Sequence, residues 1–145
     1  MSEAQKAWDD TPIGENSPVG HFTVTRDVVL NYSEAVEDDN PLHTNEVAAR
    51  RSEWGTLIAQ PTIAGIYVVA SQQPEQKKRV KSGVVAKRYF EFHQPARVGD
   101  QLTTTGKVLD KYQKRGKNYV VVETVTVNQN GEKIATGRGH FIWLD

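Results

Sequence analysis

The 145-residue chain contains no cysteine and a single methionine. It therefore has no disulfide, no thiolate metal site and no cysteine nucleophile, and it is compatible with a reducing, cytoplasmic setting. It also carries no charge of one sign in excess: 18 basic residues balance 18 acidic ones. That balance gives no electrostatic argument for nucleic acid. Long hydrophobic runs are missing too. The longest, "TIAGIYVVA" at 62–70, falls well short of the roughly 20 residues of a membrane helix. The first ten residues, "MSEAQKAWDD", hold no apolar stretch that would make a signal peptide. What is present is the composition of one soluble globular domain, 37% hydrophobic and 25% charged, of a size that closes around a single core.

The pattern along the chain divides it unequally. Residues 1–18 are polar, hold Pro12, Gly14 and Pro18, and read as an irregular N-terminal arm before one domain over 19–145. "HFTVT" (21–25) alternates as a strand does. Thr25 is an N-cap candidate for an amphipathic helix over 26–37, with Val29, Tyr32 and Val36 at helical spacing. Pro41 makes "DDNPLH" a loop, and Thr44 can cap a second helix over 45–53, ended near Gly55. Pro61 suits the first turn of a helix reaching about Ser71. That segment is apolar on nearly every side, the mark of a buried helix. Four strand-like runs follow at 83–93, 101–112, 117–128 and 132–144. Asn130-Gly131 gives the strongest short hairpin signal. Such long strands suit a sheet that curves, here around the one buried helix.

The segment "EDDNPLHT" (37–44) packs three acids, an Asn, a Pro and a His into eight residues. These are the residue types of a capping turn, and equally of a site that handles protons. His21, His93 and His140 stand on strands with no second ligand at metal spacing, so no metal site is expected. The basic cluster "KKRVK" (77–81) reads as a solvated helix end, with coenzyme A phosphates as the alternative.

"DDNPLHT", then "LIAQPT" opening the buried helix, then "PARVGDQL" together resemble the MaoC-like hydratase/dehydratase family of hot-dog-fold proteins, over about residues 20–143. The family's Asp-x-Asn-Pro-x-His motif falls on Asp38, Asn40, Pro41 and His43. "IAQPT" resembles the branch with mycobacterial and fungal-type acyl-thioester dehydratase subunits, not the branch with His-Gly-Met there. The resemblance implies an α+β hot-dog fold, a long central helix wrapped by a curved antiparallel sheet. It implies a hydro-lyase that adds water to 2-enoyl thioesters, or removes it from (R)-3-hydroxyacyl thioesters. The substrate would be a thioester of coenzyme A or of an acyl carrier protein, with no further cofactor. A homodimer, or a heterodimer with a related hot-dog chain, is expected.

Hydration of a conjugated double bond needs a proton taken from water, a proton delivered to C2 and a stabilised enolate. Asp38 and His43 can supply the first two, histidine titrating near neutrality and an enclosed carboxylate being tunable upward. The sequence leaves open which is base and which is acid. Asn40 corresponds to the family's loop-organising or substrate-orienting amide. The enolate would sit at the start of the buried helix, where backbone N–H groups are free. Pro61 has no N–H, which moves the oxyanion donor to Thr62, by amide or hydroxyl, or to the neighbouring Ile63 amide. Two other readings compete: a non-catalytic or site-sharing subunit of a heteromeric dehydratase, and, less well supported, a hot-dog thioesterase. The second would want a carboxylate on the central helix, and "PTIAGIYVVAS" has none.

Overall fold

The computed structural model describes residues 3–70 and 83–143; the basic cluster at 77–81 lies outside them. Its elements in chain order are α1 (Glu3–Asp9), β1 (Asn16–Thr23), α2 (Arg26–Ala35), α3 (Pro41–Thr44) and α4 (Glu46–Arg51). A 3₁₀ turn (Pro61–Ile63) then leads into α5 (Ala64–Ala70), followed by β2 (Gly83–Phe92), β3 (Gln101–Lys114), β4 (Lys117–Val127) and β5 (Lys133–Trp143). The five strands form one antiparallel sheet in the order β1-β3-β4-β5-β2. Every ladder carries a bulge or register shift, which bends the strands. Helix α5 lies against the concave face. Ile63, Ala64, Tyr67 and Val68 join Val24, Val29, Ala59, Ala96, Leu102 and Ile134 in the core. This is the α+β hot-dog arrangement. No helix among the described residues is long and apolar enough to cross a membrane.

Several expectations are corrected. Residues 3–18 are not irregular throughout. Residues 3–9 form a helix whose order comes from distant partners: Trp8 Nε1 donates to the Tyr119 carbonyl at 3.1 Å, and Lys111 Nζ donates to the Trp8 carbonyl at 2.8 Å. The first strand starts at Asn16 rather than 21. It tolerates Pro18 because β1 is an edge strand. "DDNPLH" is not wholly loop, since Pro41 opens the four-residue helix α3 with Asn40 as its N-cap. The cap of α4 is Asn45, not Thr44: Asn45 Oδ1 accepts from the N–H of Val47 and Ala48. The Thr44 hydroxyl donates instead to the Asn40 carbonyl. The central helix is not buried all round, because Ile66 is 46% exposed. Asn130-Gly131 lies in a longer loop organised by the Asn128 side chain, which accepts from the N–H of Asn130 and Glu132. The tight two-residue turn is Arg115-Gly116, both at positive φ, the geometry that joins paired strands without splaying them.

Candidate active site

Helix α2 delivers the candidate carboxylate through its C-terminus. Thr25 caps the helix start by accepting from Val28 N–H at 3.2 Å, as expected from the sequence. At the other end Glu37 adopts φ 54°. Its N–H reaches the Glu34 carbonyl at 3.2 Å, and the Asp38 N–H reaches that of Ser33 at 2.9 Å. This pair of bonds is the Schellman closure, and it aims Asp38 inward. Asp38 Oδ1 then accepts from Asn40 N–H at 3.0 Å, while Asn40 Oδ1 accepts from Leu42 N–H at 3.0 Å. Asn40 thus shapes the loop and caps α3, and it is itself exposed.

His43 arrives from α3 and is buried, 8% exposed. Its Nδ1 lies 2.7 Å from the Ile58 carbonyl. A carbonyl only accepts, so Nδ1 carries the proton and Nε2 is left facing Asp38 Oδ2 at 3.8 Å. Ile58 is held in place from two sides. Its N–H donates to the Leu42 carbonyl, and the flanking Leu57 and Ala59 bond to Val98 and Ala96.

The third member was not assigned from the sequence. Gln60 is 5% exposed, and its Nε2 donates to Ser33 Oγ at 2.6 Å and Asp38 Oδ2 at 3.1 Å. Polarity along this chain is fixed. The one Ser33 hydroxyl proton goes to the Val29 carbonyl at 2.8 Å, so Ser33 can only accept from Gln60. The amide is therefore oriented with its NH₂ toward the carboxylate. The signal was a lone amide within the apolar run "LIAQPTIAG".

These bonds set the charge of the site. The Asn40 N–H first, and the Gln60 amide second, hold the Asp38 carboxyl below its ordinary range. This corrects the expectation of a carboxylate tuned upward: donors outweigh burial here. Asp38 is a carboxylate at neutral pH. The 3.8 Å gap to His43 is too long for a direct hydrogen bond, but one water can hydrogen-bond to both sides of it.

At the turn into α5, Ile63 N–H donates to the Gln60 carbonyl at 3.1 Å, and Ala64 N–H is engaged by Pro61 and Thr62 carbonyls. Thr62 N–H has no acceptor among the described residues. The Thr62 Oγ1 accepts from Tyr32 Oη at 2.9 Å, which leaves the threonine's own proton available. The expected donors thus separate: Thr62 is free to act and the Ile63 amide is occupied. Below this turn lies a cavity of about 240 Å³ lined by Ala59, Gln60, Ile63, Tyr67, Phe92 and Ile134, among others. His93 also lines this cavity and lies beside Thr136, whereas His21 and His140 stand beside Thr103 and Tyr112.

A family model for the FAS1-like dehydratase domain region matches residues 11–137. A UPF0336 protein of Saccharopolyspora erythraea is 26% identical over 140 residues, covering 92% of this chain and 90% of its own. Another, of Streptomyces avermitilis, is 29% identical over 139 residues, covering 90% and 91%. Among solved structures, the (R)-hydratase PhaJ1 of Pseudomonas aeruginosa superposes with a TM-score of 0.80 at 18% identity, covering 95% of this chain and 85% of that one. The HadBC (3R)-hydroxyacyl-ACP dehydratase complex of Mycobacterium tuberculosis gives 0.76 at 23% identity, covering 91% and 98%.

Proposed function

The chain belongs to the FAS1-like dehydratase-domain family, and from that premise we propose that it is a hydro-lyase interconverting 2-enoyl and (R)-3-hydroxyacyl thioesters. The observation that carries this reading is the pairing of Asp38 Oδ2 with His43 Nε2 across 3.8 Å, with the carboxylate held by its donors and the ring turned by the Ile58 carbonyl.

A water between the two donates one proton to each and turns its oxygen lone pair toward the third direction, where C3 of the substrate would lie. As the oxygen bonds to C3, its proton passes to His43 Nε2 and the C2=C3 electrons move onto the thioester oxygen. Thr62, by N–H and hydroxyl, is the donor set for that oxygen. The imidazolium then returns the same proton to C2, so H and OH are added across the bond and the enzyme is restored. Asp38 keeps its charge throughout. It orients the water and balances the transient imidazolium, and its depressed carboxyl makes it a poor general acid. His43 is the group that moves the proton. The reverse sequence is dehydration.

The substrate class, a thioester of coenzyme A or an acyl carrier protein, fits the family and the apolar cavity beside the pair. The test is the absorbance of the conjugated thioester of crotonyl-CoA and of a longer 2-enoyl-CoA mixed with pure protein. Loss of that absorbance, with (R)-3-hydroxyacyl product, supports the reading. Inertness toward both, alone and after addition of related hot-dog chains, would sink it.

A second reading is a subunit that shares its site with a related chain. It is favoured by strand β2, a sheet edge whose Val84, Val85, Tyr89 and Phe92 are 45–50% exposed. Exposed apolar edges invite pairing. Activity appearing only on mixing two chains would select this reading. Sedimentation as an active monomer would exclude both this assembly and the expected homodimer.

A further inference from the structure

Arg88, Phe90 and Phe92 alternate onto one face of strand β2, because the register shift in its pairing with β5 comes earlier, between Val85 and Lys87. That face is the inner one: Phe90 packs against the core and Phe92 lines the cavity beside the acid–base pair. Across the ladder stand the small residues Gly139, Gly137 and Ala135. A Cβ on Gly139 would lie 2.6 Å from the Phe141 ring, and one on Gly137 would lie 3.0 Å from the Phe90 ring. The absent side chains thus make room for the two rings. The Arg88 guanidinium lies 5.7 Å from the centre of each. Such contacts hold a cation, but they give its five N–H donors no oxygen to bond. Arg88 is half-buried, yet it has no ion pair or hydrogen bond among the described residues. Burial alone acts on it, pulling its pKa down, and no carboxylate opposes that. Its nitrogens are still reachable. Among the described residues Gln60 Oε1 is the one sealed side-chain polar atom without a partner, so the unpartnered guanidinium opens to solvent.

We propose that Arg88 is a specificity residue for an oxyanion of the substrate, a phosphate or carboxylate held beyond the cavity. Four residues at about 3.3 Å each place Arg88 about 13 Å along β2 from Phe92. The Phe92 and Phe90 rings stack at 5.7 Å between the cavity and the cation. A ligand that fills the cavity and follows these rings therefore brings its far end, not its reacting carbon, to Arg88. Two parts of a thioester can carry a negative charge so far from the reaction: the phosphate of a pantetheine arm, and a carboxylate closing an acyl chain. Both present the paired oxygens that a guanidinium fork binds, and binding is stronger where the cation is already partly desolvated. The identity of the ligand rests on the hydratase reading; the preference of Arg88 for an anion does not.

The experiment compares the wild-type chain with Arg88→Met, which keeps a long side chain over the rings without the charge, and Arg88→Lys, which keeps the charge without the fork. Three 2-enoyl thioesters are used: of pantetheine, of pantetheine phosphate, and of pantetheine with a terminal carboxylate on the acyl chain. Turnover is measured for each. Binding of the same compounds with the double bond reduced is followed by NMR titration of the Arg88 Nε resonance, without any chemistry. Wild type is expected to favour an anionic member over the neutral parent by about tenfold. The gain should lie in KM rather than kcat, since a contact far from the reacting carbon is the same in ground and transition states. Arg88→Met should erase the preference and Arg88→Lys should keep part of it. A preference for the phosphate assigns the subsite to the pantetheine arm, and one for the carboxylate assigns it to the acyl end. If wild type binds all three alike, the proposal is overturned. It is equally overturned if Arg88→Met weakens the neutral parent as much as the anions, for the guanidinium then only supports the two rings. Normal turnover with no anion preference would overturn the subsite alone. An Arg88-dependent preference among the reduced ligands, without turnover of any enoyl thioester, would retain the subsite and remove the hydratase reading.

Discussion

The Ile58 carbonyl lies 2.7 Å from Nδ1 of His43, and that contact decides what the other ring nitrogen does. In the neutral ring, with Nδ1 holding a proton for the carbonyl, it is Nε2 that carries the lone pair and faces Asp38. The sequence left the roles of Asp38 and His43 open. The bond to Ile58, together with the donors on Asp38, is what favours His43 as the group that takes and returns the proton.

His43→Gln keeps a polar side chain but cannot cycle a proton, and turnover of 2-enoyl-CoA should fall by about 10²–10⁴-fold. Asp38→Asn keeps the shape and loses the charge that orients water, and should fall comparably. Because the two act on one water, the double variant should be little worse than the more damaging single one. Losses that multiply would mean that they act independently.

Glu37 closes α2 with φ 54°, in a region that costs an L-residue about 1–2 kcal/mol and glycine almost nothing. Against glycine's own entropic cost of about 0.5–1 kcal/mol, Glu37→Gly should be neutral or stabilising by up to about 1.5 kcal/mol in urea unfolding. Glu37→Val should be destabilising, since a β-branched residue resists that conformation. Since the same turn places Asp38, Glu37→Val should also lower turnover, and Glu37→Gly should not.

How much of this was readable in the residues varies with how local the cause is. Thr25 as a cap, the four long strands, and the convergence of Asp38 with His43 follow from spacings of a few residues. The competition between Thr44 and Asn45 to cap α4 does not, because both are capping types and only the path of α3 decides between them. Helix α1 was invisible for another reason: the partners that order it, Lys111 and Tyr119, are a hundred residues away. Gln60 was hidden because its meaning depends on Ser33 and Asp38 reaching it across the core. The depressed carboxyl of Asp38 was hidden with it, since no pattern in "EDDNPLHT" says which donors will surround the acid.

Gly137 sits on β5 where a Cβ would lie 2.6 Å from Thr124 Oγ1 and 3.0 Å from the Phe90 ring. Thr124 is directly across the β4–β5 ladder and Phe90 across the β2–β5 ladder, so neither can retreat far without leaving its own packing. Gly137→Ala should therefore cost about 1–3 kcal/mol, as overpacked core positions do, read as a lower urea midpoint with an unchanged slope. Gly137→Ala combined with Thr124→Ser should not recover it, because the hydroxyl is kept. Thr124→Ala should recover part.

The amide of Gln60 can be tested through proton equilibria rather than rate alone. Gln60→Met keeps the length of the side chain and removes the donor to Asp38 Oδ2. Asn40 N–H, the larger cause of the depression, remains, so the Asp38 carboxyl should rise part of the way back toward its ordinary value. Where Asp38 must be ionised for turnover, the acid limb of kcat/KM should move to higher pH in Gln60→Met. Stability follows with a definite sign. A carboxyl depressed in the folded state stabilises that state above the unfolded pKa of about 3.9, and this contribution disappears as pH falls through the folded value. The stability gap between wild type and Gln60→Met should thus be largest near neutrality and should narrow below about pH 4, where Asp38 takes up its proton in both. A part that survives at low pH reports the lost bond to Ser33. Carbon-13 titration of the Asp38 carboxyl reads the same shift directly, and a carboxyl that titrates identically in both proteins would remove Gln60 from the account of how this site is kept charged.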